Sequence, residues 1–188
     1  TGVYTPELSI SNAELVEAFN AWASAENARN APRIESGEME AIGLSSEEFI
    51  VKASGIERRY VLNKSGVLDP NVMHPVLPER GDDEISVMAE MAVSAANEAL
   101  GKAGKSAADI DGVICAASNH ERAYPAIAIE VQQALGIKGF GFDMNVACSS
   151  ATFGIQTAAD FIRAGNARSV LVVSPEICTG HNNMRNRD

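Results

Sequence analysis

Between Ile110 and Ser174, short apolar runs alternate with helical patterns. That alternation restricts the fold to the α/β class with a largely parallel sheet. Ile110 to Ala117 reads as a buried strand and Pro125 to Leu135 as a helix closed by Gly136. Phe140 to Met144 reads as a strand, Ser149 to Ala164 as a helix ended by Gly165, and Arg168 to Ser174 as a near-continuous apolar strand. Strands without polar alternation are covered on both faces. Right-handed crossovers place helices on both sides of such a sheet, and active sites gather outside the carboxyl ends of its strands.

Upstream, Ser11-Asn12-Ala13-Glu14 is a capping box that opens a helix through about Ala25, with Leu15, Ala18, Phe19 and Trp22 on one face. Residues Glu26 to Gly43 are mixed and polar, an inserted loop or a short helical excursion. Ser45-Ser46-Glu47-Glu48 caps a second short helix, ended by Gly55 in a left-handed position. Ile56 to Leu62 has strand character. Asn63 to Asp83, with three prolines, predicts a long irregular loop. Glu84 to Ala103 predicts a helix stopped by Gly104. Thr1-Gly2-Val3-Tyr4 reads as the tail of a strand whose beginning is absent.

With 46% hydrophobic and 21% charged residues, the 188-residue chain is globular rather than disordered. Its net charge of −10 and lack of a Lys/Arg cluster argue against nucleic acid. No run is long and apolar enough to span a membrane, and no signal peptide is present. The three cysteines, Cys115, Cys148 and Cys178, show no metal-ligand spacing, so neither metal nor cofactor is expected, and a reducing cytoplasm is the simplest compartment.

Cys148 lies in Asp143-Met144-Asn145-Val146-Ala147-Cys148-Ser149-Ser150, a strand, a tight turn and a helix start. Unpaired N–H groups and the partial positive charge of a helix N-terminus favour a thiolate and can stabilise an oxyanion. A buried, inert cysteine is the competing reading, and spacing alone leaves both open. Ser149 and Ser150 read as helix-start hydrogen bonders. His120 falls on the same sheet rim, as a base for a thiol or as a solvated side chain. His181 carries the same two readings, and His74, between prolines in a loop, reads as exposed.

The chain resembles the β-ketoacyl-acyl-carrier-protein synthase III family of the thiolase superfamily. The resemblance rests on Thr1-Gly2-Val3-Tyr4-Thr5-Pro6-Glu7, on Glu48 to Ile56, on Ala123-Tyr124-Pro125-Ala126, on Gly136-Ile137-Lys138-Gly139 and on Asn145 to Ala151. It implies the N-terminal βαβαβ half of a thiolase-like fold over residues 1–188, with inserted loops at about 26–43 and 63–83 and the C-terminal half absent. It resolves Cys148 as the nucleophile, acylated by an acyl-CoA or acyl-carrier donor and then condensed with malonyl-acyl carrier protein in fatty-acid or related lipid biosynthesis. Relatives in secondary metabolism and a non-catalytic dimerising half-domain are the alternatives. The His and Asn of the family's site belong to the missing half, so the fragment alone is expected to be inactive.

The resemblance also implies a homodimer in which Tyr124 reaches into the partner's acyl pocket. Phe49 stands where the family carries a Trp that grips the CoA adenine, and Ala53 stands where it carries an Arg. Arg187 loosely matches a second Arg on the nucleotide side.

Overall fold

The computed structural model describes residues 1–77, 79–81 and 83–186. They fall into two compact units. One comprises Thr5–Pro78 with Cys178–Asp188, the other Thr1–Tyr4 with Glu79–Ile177.

In the first unit, strand β1 (Leu8–Ser11) leads into helix α1 (Asn12–Arg29). The capping box forms as the sequence predicts: the Ser11 hydroxyl accepts the Glu14 N–H, and the Glu14 carboxylate accepts the Ser11 N–H. The helix runs past Ala25, and α2 (Ala31–Glu35) follows, so the polar segment is partly helical. Two asparagines on α1 capture the returning chain. Asn27 pairs its amide with both backbone groups of Ile42 at 2.9 and 2.8 Å, and Asn20 does the same with Ser45 at 3.0 and 2.8 Å.

Helix α3 (Glu47–Ser54) starts at the Ser46 cap and stops at Gly55, whose φ of 71° is the left-handed conformation the sequence predicts there. Strand β2 (Arg58–Val61) pairs antiparallel with β1. No helix or strand occurs among the described residues of 63–83 before α4. Val67 and Met73 of that segment are nonetheless fully buried. Met73 packs with Ala18, Phe19 and Ala23, and Val67 with Ile10 and Val61.

In the second unit, α4 (Val87–Ala103) starts three residues later than predicted, because Ser86 caps it through the Ala89 N–H. Strands β3 (Gly112–Ala116), β4 (Phe140–Met144) and β5 (Val170–Val173) form a parallel sheet in the order β4-β3-β5, joined by α5 (Ile127–Leu135) and α6 (Ser150–Arg163). Strand alternation sorts the core. Val113, Cys115, Leu171 and Val173 face α4 and α5, while Ile114, Ala116, Phe142 and Val172 face α6. Gly154 lets α6 approach: a Cβ there would lie 2.6 Å from the Ala116 Cβ. Thr1–Tyr4 forms no strand. The Val3 N–H donates to the Glu98 carboxylate on α4 instead of to a ladder.

Candidate active site

Cys148 stands beyond the carboxyl end of β4 and is exposed, unlike the buried Cys115. Helix α6 begins at Ser150 with Ser149 as N-cap, so Cys148 is the residue just before the cap. It therefore lies within a turn of the helix's partial positive charge.

The turn that presents it is held by short polar contacts. Asn145 donates its amide to the Ser118 carbonyl at 2.8 Å and accepts the Ala147 N–H at 2.9 Å. The Ser150 hydroxyl accepts the Val146 N–H at 2.8 Å. It also sits 2.7 Å from the Ala147 carbonyl and 3.1 Å from that of Ala117, either of which can take its single proton. Ser150 is buried. Ser149 makes no side-chain cap bond, so one of the two serines does the work assigned to both. Ala147 has a φ of 48°, an uncommon conformation for a residue with a Cβ, which persists only where its surroundings enforce it.

Cys115 differs in every respect. It is buried at the centre of the sheet, and burial first, then the charges of Asp143 and Glu176, push its thiol far above the ordinary range. Cys178 is exposed in a 3₁₀ turn of the other unit. Exposure thus separates Cys115 from Cys148 but does not separate Cys148 from Cys178.

His120 turns inward. Its Nε2 is 3.9 Å from Asp143 Oδ2, is buried, and has no hydrogen-bond partner among the described residues. The Asp143 carboxylate accepts the N–H groups of Ile127 and Ala128 at 2.8 Å each, capping α5 from the neighbouring strand. That role escaped the sequence because it joins residues 15 and 16 positions apart.

Tyr124, before a cis Pro125, projects from the β3–α5 loop and is 91% exposed. Phe49 belongs to the other unit. With Phe19, Ile50, Ala53, Arg59 and Met184 it lines a cavity of about 230 Å³. Arg59 supplies a cation there, although its guanidinium already donates to Asn12 at 2.7 Å. Arg187 lies outside the described residues.

No helix among the described residues is long and apolar enough to cross a membrane. The family model for 3-oxoacyl-[acyl-carrier-protein] synthase III matches residues 142–188, the segment that contains Cys148. The chain is 62% identical over 173 residues to a β-ketodecanoyl-[acyl-carrier-protein] synthase of Pseudomonas aeruginosa, covering 92% of this chain and 49% of that protein. It is 32% identical over 177 residues to a β-ketoacyl-[acyl-carrier-protein] synthase III of Granulibacter bethesdensis, covering 94% and 41%. Among solved structures, the priming β-ketosynthase of the R1128 polyketide pathway superposes with a TM-score of 0.68 at 25% identity, covering 99% of this chain and 43% of that one. The 3-oxoacyl-[acyl-carrier-protein] synthase III of Aquifex aeolicus VF5 gives 0.70 at 24% identity, covering 99% and 46%. The chain spans half or less of the length of each of these.

Proposed function

We propose that this chain, which belongs to the 3-oxoacyl-[acyl-carrier-protein] synthase III family, is the nucleophile-bearing half of a condensing enzyme of fatty-acid or related lipid biosynthesis. The observation that carries this reading is the exposed Cys148, presented by a turn between β4 and α6 that has Ala147 at positive φ and is held by Asn145 and Ser150. Its thiolate attacks the carbonyl of an acyl thioester, and the donor's C–S bond breaks as the donor thiol leaves with a proton. The malonyl group of an acyl carrier protein then loses CO₂, and the resulting carbanion attacks the acyl-Cys148 carbonyl. A new C–C bond forms, and the Cys148 thiolate is released. Covalent capture divides one difficult bond formation into two easier steps.

In this reading the decarboxylation step is served by the other half of the enzyme. His74 is exposed with its Nδ1 beside the Pro75 carbonyl, and His120 faces Cys115 and Asp143. The isolated half is accordingly inactive, since losing members of a concerted site costs orders of magnitude. In the complete dimer the exposed Tyr124 fills the partner's acyl pocket.

The donor is medium-chain. The relative at 62% identity is named for a β-ketodecanoyl product. Removing the two carbons that malonate contributes leaves an eight-carbon primer. The cavity at Phe49 supports the same choice. With Ala53 it lacks a second cation to stack on a nucleotide base, a contact of roughly 0.5–2 kcal/mol. Two or three extra buried methylenes, at about 0.8 kcal/mol each, offset that loss.

The experiment is kcat/KM of the full-length enzyme for acetyl-, butyryl-, hexanoyl- and octanoyl-CoA, with malonyl-acyl carrier protein as co-substrate. A rise toward eight carbons is expected. A maximum at acetyl-CoA overturns the donor assignment, and an acyl-enzyme that survives Cys148→Ala overturns the reading itself.

A further inference from the structure

We propose that Cys115, His120 and Asp143 form a binding site for a soft divalent transition-metal ion, best matched by Zn²⁺. No spacing in the sequence announces it; the sheet assembles it. Cys115 and Asp143 are register partners on β3 and β4, so their side chains share a face. The loop after β3 then brings His120 back over the strand ends.

One donor atom from each residue lies within 4.8 Å of the other two. The edges of a tetrahedral zinc site with bonds of about 2.0–2.3 Å are about 3.3–3.6 Å long, so side-chain shifts of about 1 Å close this one. Thiolate, imidazole and carboxylate together are a zinc ligand set, and three protein donors leave a fourth position for water.

Two further observations point to a cation. The His120 Nε2 is buried and has no hydrogen-bond partner among the described residues, an arrangement that carries a desolvation cost until something coordinates it. The neighbourhood is also anionic: the charges acting on Cys115 are the carboxylates of Asp143 and Glu176. Asp143 accepts two backbone N–H groups, one on each oxygen, and each oxygen keeps a lone pair. The Cys115 thiol gives its proton to solvent as the metal–sulfur bond forms, so binding releases one proton per ion.

His120 lies four residues before Tyr124, and Asp143 five before Cys148. An ion here would tie the Tyr124 loop to the strand that carries the nucleophile.

The test uses full-length protein carrying Cys148→Ala and Cys178→Ser, titrated with Co²⁺ as a spectroscopic substitute for Zn²⁺. One ion per chain is expected, with a sulfur-to-cobalt charge-transfer band displaced by Zn²⁺. Cys115→Val, a close match in volume, should abolish the band. His120→Gln should weaken binding at least about tenfold, the lower end of what lost metal-site partners cost. No band at millimolar Co²⁺, a band unchanged in Cys115→Val, or an unchanged Kd in His120→Gln overturns the site. None of these readouts depends on the condensing activity.

Discussion

The Ser150 hydroxyl receives the Val146 N–H across the turn that displays Cys148, at 2.8 Å. The contact closes a small ring next to Cys148, with Ala147 held at positive φ inside it. Replacing Ser150 by Ala removes the acceptor of the part-buried Val146 N–H, a net loss of about 0.5–1.5 kcal/mol. Global stability should fall by that amount in urea titration. Acylation of Cys148 should slow about tenfold or more, because a displaced nucleophile loses its attack geometry. A variant that loses stability but acylates at the parent rate would show that the turn is not organised by this hydroxyl.

Thiol labelling should sort the three cysteines by environment. Iodoacetamide should spare Cys115, which is buried and held protonated by burial and by two carboxylates. Cys148 and Cys178 are both exposed, so both label. Only Cys148 should be protected by prior incubation with the acyl donor. Peptide mapping by mass spectrometry reads the difference.

Gly154 to Val should loosen the contact between α6 and the sheet. The new Cβ would meet the Ala116 Cβ at 2.6 Å and Val172 Cγ1 at 3.1 Å, on strands β3 and β5. Overpacking of this kind costs about 1–3 kcal/mol. A lowered Tm accompanied by slower Cys148 acylation is expected, since the Cys148 turn opens directly into this helix.

Glu14 should make the first unit acid-sensitive. Lys64 at 2.7 Å, then the Ser11 N–H and hydroxyl, hold its carboxyl down to about 2 from 4.5. A depressed carboxyl stabilises the folded state above its unfolded value, and that contribution is lost as pH falls through the folded one. The parent should lose stability between about pH 4.5 and 2, and Glu14→Gln should show a flatter profile over the same window. Denaturant titrations at a series of pH values supply the comparison.

What the sequence disclosed follows from range. Strand β4 has the predicted bounds, because Gly139 and Asn145 punctuate it locally. The α1 cap and the Gly55 and Gly104 stops are likewise set within a few residues. The turn that carries Cys148 was legible because strand, turn and helix start are consecutive. The start of α5 was misplaced by two residues, since its cap is Asp143 from another strand. The start of α6 was misplaced by one, because the Ser150 hydroxyl points back to Val146 rather than Ser149 forward. The meeting of Cys115 with His120 and Asp143 depends on strand register, which no local window contains.

The asparagine pairs on α1 carry a consequence for how this chain can vary. Because Asn27 grips Ile42 and Asn20 grips Ser45, the stretch from 28 to 41 departs and returns at one anchored point. Closing a longer loop costs only about 0.6 kcal/mol per doubling of its length. That stretch is therefore a docking port in the protein's architecture: segments can be grown, shortened or exchanged there while α3 and its Phe49 keep their approach to α1.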